Sequence, residues 1–145
     1  MSEQSRICGR CLCGAVKFTA QVEKAEASVC HCHMCQRWSA GPLFVVECVP
    51  GSLRIADEEN VAMYRSSEWA SRGFCKTCGS VLFWRSHDGK FDAVSAGAID
   101  DKTGLKFTSE IFIDEKPAYY DFANETKRMT GAEFIALITG DDEES

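Results

Sequence analysis

The sequence predicts a mainly β protein, built of antiparallel sheets with a short helix near its C-terminus. Short segments rich in β-branched and aromatic residues recur along the chain, Gly, Asp, Asn and Pro separate them, and one helical signature follows position 130. Because the spacing between segments is short, hairpins are favoured over crossover connections, and pairing is expected to be antiparallel. The 145 residues suit one domain with one core, which we expect over residues 4–138.

The clearest predicted strand covers residues 14–22. Val16, Phe18, Ala20 and Val22 alternate there with Lys17, Thr19 and Gln21, so one face of the strand is expected to be buried. Further strands are predicted at 43–49, 61–64, 81–84, 91–95 and 107–113.

The predicted helix follows Thr130. Thr130 and Glu133 have the spacing of a capping box, in which each side chain bonds the backbone N–H of the other residue. Phe134, Leu137 and Ile138 then recur at helical spacing and predict one apolar face. These residues therefore predict a short C-terminal helix that begins just after Thr130.

Charge and hydropathy exclude several classes of function. The formal net charge is −6 and the pI is near 5.1, which argues against a nucleic-acid partner or an anionic membrane surface, because both reward clustered Lys and Arg. No segment has the length and hydropathy of a signal peptide or a membrane span. We therefore expect a cytoplasmic protein, with an acidic flexible tail at 139–145.

Seven of the nine cysteines fall into three tight groups, and their number is odd. In a reducing compartment, grouped cysteines are more often metal ligands or redox groups than structural disulfides. Four thiolates close one tetrahedral zinc site, which leaves three for a second zinc with an open position. The three groups are Cys11 with Cys13, Cys30 with Cys32 and Cys35, and Cys75 with Cys78.

The two outer pairs together supply four sulfurs. On an extended chain Cys11 and Cys13 point to the same side, and Gly79 permits the turn that would curl Cys75 and Cys78 around an ion. A shared metal would clip distant parts of the chain together and act as a folding element. The alternative is a redox dithiol, which needs a helix after the second cysteine, whereas residues 81–84 predict a strand.

The middle group is the candidate reaction centre. An extended chain would present Cys30 and Cys32 on one face, with Cys35 brought back by a turn, so that three sulfurs converge on one metal. The alternative is a structural zinc closed by a fourth protein ligand. The residues available for that role are Cys8, Cys48, His31 and His33.

These motifs resemble those of the glutathione-dependent formaldehyde-activating family, which includes centromere protein V-like members. Three segments carry the resemblance in the family's order and spacing: Gly9 to Gly14, Cys30 to Cys35, and Gly73 to Ser80. The resemblance implies a β-tent fold and two Zn²⁺ per chain. It also implies that the structural zinc is held by Cys11, Cys13, Cys75 and Cys78, and the catalytic zinc by Cys30, Cys32 and Cys35.

The resemblance further implies a carbon–sulfur lyase similar to S-(hydroxymethyl)glutathione synthase, which adds a thiol such as glutathione to formaldehyde or handles a related adduct. Arg37 and Trp38, next to the middle cysteines, are then candidates for binding the substrate. The chain departs from the family where many members have a His, since it has Ser109 and Glu110 there, and the role of that His is either lost or taken by Glu110. The alternative function is a non-catalytic, zinc-stabilised binding module.

Overall fold

A computed structural model describes residues 5–140. They form two compact units, residues 5–26 with 45–106 and residues 27–44 with 107–140. The predicted acidic tail lies outside the described residues from position 141 onward. Over residues 5–140, no helix is both long and apolar enough to cross a membrane.

The architecture is mainly β, as predicted. The α-helices described between residues 5 and 140 are α1 (His33–Ser39) and α2 (Gly131–Thr139). The strands are β1 (Ser5–Arg10), β2 (Lys17–Val22), β3 (Glu26–Cys30), β4 (Leu43–Cys48), β5 (Arg54–Ala56), β6 (Val61–Arg65), β7 (Ala70–Cys75), β8 (Val81–Ser86), β9 (Asp92–Ser95), β10 (Lys106–Ile111) and β11 (Lys127–Met129).

The first unit contains the predicted alternating strand, β2, at the centre of a three-stranded sheet in the order β1-β2-β5. Both pairings are antiparallel. Val16, Phe18, Ala20 and Val22 are all buried, which confirms the predicted face. Alternation predicted this strand well because one side of the sheet forms the core while the other remains accessible.

The same unit holds a second set of strands in the order β4-β9-β8-β7-β6, all paired antiparallel. Leu82 and Val94 are fully buried in its core. Strand β7 ends at Cys75, and a tight turn leads from it into β8. The turn that carries Cys75 and Cys78 is therefore held between two paired strands.

The second unit contains strands in the order β11-β10-β3, together with α1 and α2. Strands β10 and β11 are parallel, which differs from the predicted antiparallel pattern. The rings of Phe44, Phe107 and Phe122 pack edge to face with centroids 5.0–5.5 Å apart. This aromatic cluster supplies apolar burial in the unit that holds β3, the strand that ends at Cys30.

Helix α2 begins where the sequence predicted. Thr130 Oγ1 accepts a hydrogen bond from the Glu133 N–H, and Glu133 Oε1 accepts one from the Thr130 N–H, which confirms the capping box. The predicted apolar face is correct for Phe134 and Ile138, which are half-buried, but wrong for Leu137, which is 54% exposed. Phe134 and Ile138 are four positions apart and therefore lie along one line of the helix, whereas Leu137 is displaced from that line towards solvent.

Candidate metal centres

The outer cysteine pairs meet in the first unit, as predicted. The sulfurs of Cys11, Cys13, Cys75 and Cys78 all lie within 4.8 Å of one another. Cys13 Sγ is 3.7 Å from Cys11 Sγ and 3.8 Å from Cys75 Sγ. A tetrahedral zinc with Zn–S bonds of about 2.3 Å requires its sulfurs to be about 3.8 Å apart. The four thiols therefore fit a closed zinc site in both chemistry and spacing.

Each outer pair lies on a turn, so the predicted extended conformation of Cys11 to Cys13 is wrong. Strand β1 ends at Arg10, and the Gly14 N–H then donates to the Cys11 carbonyl at 3.2 Å, with Gly14 at φ +84°. The second turn is similar, because the Gly79 N–H donates to the Cys75 carbonyl at 2.9 Å with Gly79 at φ +79°. Glycine adopts this left-handed conformation without the steric penalty that a Cβ would bring, so both turns can curl around one ion.

Backbone amides in these turns point at the sulfurs. The Val16 N–H donates to Cys11 Sγ at 3.3 Å, and the Thr77 N–H donates to Cys75 Sγ at 3.3 Å. The Ser80 hydroxyl lies 3.1 Å from Cys78 Sγ, and this contact, together with backbone hydrogen bonds from Cys13 and Ser80, lowers the pKa of the Cys78 thiol to about 5. Hydrogen bonds of this kind stabilise the thiolate, the form that binds a metal. A strand, β8, follows this turn, so a helix that would activate a redox cysteine is missing after Cys78.

The middle cysteines meet in the second unit. Cys30 is the last residue of β3, Cys32 caps the N-terminus of α1, and Cys35 lies in the first turn of that helix. Their sulfurs all lie within 4.8 Å of one another. The sequence predicted this convergence but not the helix. The cap explains the difference, since Cys32 Sγ accepts the Cys35 N–H at 3.3 Å and so starts a helix where extended chain was expected.

The three sulfurs impose an electrostatic requirement on the site. Interactions with the sulfurs of Cys32 and Cys35, together with burial, raise the pKa of the Cys30 thiol far above its ordinary value. Cys32 and Cys35 are themselves buried. Three thiolates so close together are stable only when a cation neutralises part of their charge, which is the role that a metal would take.

Within residues 5–140, the group of nearby metal-ligating side chains at this site has three members. The predicted alternatives for a fourth ligand are engaged elsewhere or exposed. His31 uses both ring nitrogens in hydrogen bonds, and the His33 ring lies 3.4 Å from Glu115 Oε1. Cys48 is buried with its Sγ 3.7 Å from the Val46 carbonyl oxygen, and Cys8 is exposed.

Residues 31–36 are fixed to the segment after β10 by two side chains. The Gln36 amide donates to the His31 carbonyl at 2.7 Å and to the Glu115 carbonyl at 2.9 Å. The Glu115 carboxylate accepts the His33 N–H at 2.8 Å. His33 and Gln36, on either side of Cys35 in α1, are thereby both tied to residue 115, which limits the positions that the Cys35 sulfur can take.

A buried hydrogen-bond chain runs through His31, between the first two middle cysteines. His31 Nε2 lies 2.8 Å from Glu110 Oε1, and His31 Nδ1 lies 2.8 Å from the Tyr120 hydroxyl. His31 and Glu110 are fully buried. Burial alone would raise the pKa of the Glu110 carboxyl, but hydrogen bonds from Thr126 and His31 and the nearby Arg128 charge hold this pKa below its ordinary value. Glu110 is therefore an anion that accepts from His31 Nε2–H, and the Tyr120 hydroxyl is the partner of His31 Nδ1.

This chain of hydrogen bonds was not predicted. From the sequence, Glu110 stood out only as a possible replacement for a family His. A buried acid next to a strand pattern gives a weak signal, because its partners are 79 positions away for His31 and 16 for Thr126. Only the pairing of β10 with β3 and β11 brings these groups together.

The predicted substrate-binding residues both lie on α1. Trp38 is half-buried and Arg37 is exposed. Trp38 follows Cys35 by three positions and is on the same side of the helix, whereas Arg37 follows it by two and is rotated by about 200°. Trp38 is therefore the better placed of the two to border the middle cysteines.

Comparisons with known proteins agree with this arrangement. The family model for the glutathione-dependent formaldehyde-activating enzyme matches residues 6–115. An uncharacterized lyase of Schizosaccharomyces pombe is 35% identical over 131 residues, covering 90% of this chain and 95% of the yeast protein. A Rhodobacter sphaeroides protein of known crystal structure has a TM-score of 0.57 at 23% identity, covering 70% of this chain and 99% of its own, and shares the fold. The matched segment contains both cysteine clusters, and the chain belongs to the glutathione-dependent formaldehyde-activating family.

Proposed function

We propose that this protein is a zinc-dependent carbon–sulfur lyase that adds a thiol, glutathione or a close relative, to formaldehyde or handles a related thiol adduct. In the addition, the thiol S–H bond breaks, the sulfur forms a bond to the carbonyl carbon, the C=O π bond opens, and the thiol proton is balanced by a proton that ends on the oxygen. The reverse reaction breaks the same carbon–sulfur bond. The proposal includes two zinc ions per chain, a structural one at the outer cysteines and a catalytic one at Cys30, Cys32 and Cys35.

One observation carries the proposal: the middle cluster presents three cysteine sulfurs within 4.8 Å, and no fourth ligand from residues 5–140 joins them. Structural zinc sites are closed by four protein ligands, whereas catalytic sites hold zinc with three and keep one position for water or substrate. When bound, zinc stabilises a substrate thiolate or polarises an aldehyde oxygen. The closed outer cluster in the same protein provides the contrast.

The protein's own groups would orient the thiol and shape its surroundings. Cys32 and Cys35 are buried and Cys30 is half-buried, so the cluster is shielded from solvent on most sides. The half-buried Trp38, one helical turn from Cys35, would border the substrate. Arg37 points away from the side of α1 that carries Cys35, so it would reach the substrate only around the side of the helix. We retain it as a candidate for binding a carboxylate of glutathione.

The experiment is NMR exchange spectroscopy on glutathione and formaldehyde mixed with zinc-loaded protein. We expect faster interconversion between the free thiol and its hydroxymethyl adduct than in buffer alone. Cys32→Ser should abolish the acceleration because it removes one of the three sulfurs. Cys8→Ser is the matched control, since Cys8 is exposed and lies outside both clusters.

A rate equal to the uncatalysed rate would remove this substrate pair. Full acceleration by the Cys32→Ser variant would show that the middle cysteines are not the reaction centre. A fourth protein ligand on the middle zinc would instead favour the non-catalytic binding module.

A further inference from the structure

The buried carboxylate of Glu110 has no part in the metal clusters, and its surroundings are specific. One oxygen, Oε1, accepts from His31 at 2.8 Å, and the other, Oε2, accepts from Thr126 Oγ1 at 2.7 Å. Arg128 Nε lies 3.4 Å from Oε2. A buried charge is strongly unfavourable unless it is paired and hydrogen-bonded, and here both oxygens have partners. Such a fully satisfied group holds its neighbours in one arrangement.

The group held most directly is His31, which separates Cys30 from Cys32 in the chain. Its ring is bonded on both sides, to Glu110 at Nε2 and to Tyr120 at Nδ1. Its backbone N–H donates to the Ile111 carbonyl at 3.0 Å, and its carbonyl accepts from Gln36 at 2.7 Å. All four hydrogen-bonding groups of this residue are therefore engaged.

A residue fixed at every polar atom transmits its position to its chain neighbours. Adjacent Cα atoms are held at about 3.8 Å by the peptide bond, so the orientation of His31 limits where the Cys30 and Cys32 side chains can lie. Outer groups that orient metal ligands commonly change metal affinity by about 10- to 100-fold when they are removed.

We propose that Glu110 is a positioning residue for the middle cysteine cluster: acting through His31, with Tyr120 on the other side of the ring, it sets the spacing of the Cys30 and Cys32 sulfurs for metal binding. This inference rests on the proposed function, because it requires that the middle cluster binds a metal. Glu110 itself contacts neither metal nor substrate in this role.

The test measures metal affinity and not catalysis. Co²⁺ is titrated into metal-free protein, and binding is followed by the thiolate-to-cobalt and d–d absorption bands. The bands are assigned to the two clusters by comparison with the Cys32→Ser variant, which lacks a sulfur in the middle cluster only. Glu110→Gln is the main variant, because its amide replaces one of the two acceptor oxygens with an –NH2 donor and so can no longer accept from His31 and Thr126 through separate oxygens. We expect it to weaken Co²⁺ binding at the middle cluster by about tenfold and to change its d–d bands, with the outer cluster unaffected.

Tyr120→Phe is the second variant, since it removes one hydroxyl from a half-buried ring and leaves Glu110 in place. We expect a smaller loss of affinity at the same cluster. Asp92→Asn is the matched control, because Asp92 is a buried carboxylate that bonds Arg85 at 2.8 Å and belongs to neither cluster. A general loss of stability would affect this control as much as Glu110→Gln.

Three results would overturn the inference. Unchanged Co²⁺ affinity and bands in both Glu110→Gln and Tyr120→Phe would remove the positioning role and leave the proposed function intact. Equal weakening of both clusters in Glu110→Gln and Asp92→Asn would show that Glu110 acts only through overall stability. Failure of the wild-type middle cluster to bind Co²⁺ would defeat the proposed function and, with it, this inference.

Discussion

Replacement of Cys75 by Ser should destabilise the first unit severely. Cys75 is fully buried, and its sulfur lies 3.8 Å from that of Cys13, which is 62 residues earlier in the chain. A cross-link that closes a loop of this length removes unfolded-state entropy equivalent to about 4 kcal/mol at 25 °C, on the model used for disulfides. Domains of this size are stable by only about 5–15 kcal/mol, so loss of the metal clip should remove a large part of that stability.

The assay is urea denaturation followed by circular dichroism, with zinc content measured on the same samples. We expect Cys75→Ser to lose one zinc and to unfold at much lower urea, or to be unfolded without it. Cys32→Ser should also lose one zinc but keep most of its stability, because Cys30, Cys32 and Cys35 lie within five positions of one another and close only a short loop. Cys8→Ser is the control that retains both ions.

The division into a structural and a catalytic metal would be refuted if Cys75→Ser and Cys32→Ser lowered the unfolding midpoint equally. Retention of wild-type stability by Cys75→Ser, with one zinc lost, would refute the loop-closure argument itself.

Two further predictions concern residues outside the clusters. Burial and, to a lesser extent, the nearby Asp92 charge raise the pKa of the Cys48 thiol to about 12, so only about 10⁻⁴ of it is thiolate at pH 8. In zinc-loaded protein, iodoacetamide should therefore modify the exposed Cys8 and spare the buried Cys48. Equal labelling of the two cysteines by mass spectrometry would contradict this. Gly9→Ala should lower the free energy of unfolding by about 1–3 kcal/mol, because the new Cβ would overlap the Phe18 ring and a backbone carbonyl oxygen. Gly97→Ala is the control and should not lower it, because the space around its Cβ is open. Equal urea midpoints for the two variants would contradict the packing argument.

Local signals predicted the parts of the fold that depend on local physics. The alternation around Phe18 and the capping box at Thr130 are both confirmed, because burial of one strand face and satisfaction of the first helical N–H groups are decided within a few residues. Helix α1 was missed because its cap is a cysteine, Cys32, which is a weak signal for a helix start.

In the candidate site too, the groups of neighbouring cysteines were predicted and the hydrogen bonds between distant residues were not. Cysteine spacing predicted each local group, since residues a few positions apart can chelate one ion, and the count of four sulfurs predicted that the two outer pairs share a site although Cys13 and Cys75 are 62 positions apart. The partners of His31 could not be predicted, because Glu110 and Tyr120 reach it only through the pairing of strands distant in sequence. The turn at Cys11 was expected to be a strand, and the positive φ of Gly14 explains why it is not.

On the proposed function, the middle cluster binds zinc and leaves one coordination position for substrate. The most direct test is a crystal structure of the zinc-loaded protein, determined with and without glutathione, in which anomalous scattering locates the metal. We expect a zinc held by Cys30, Cys32 and Cys35, with water as the fourth ligand and the glutathione sulfur in its place after soaking. A fourth ligand from the protein itself, or no zinc at this cluster, would contradict it.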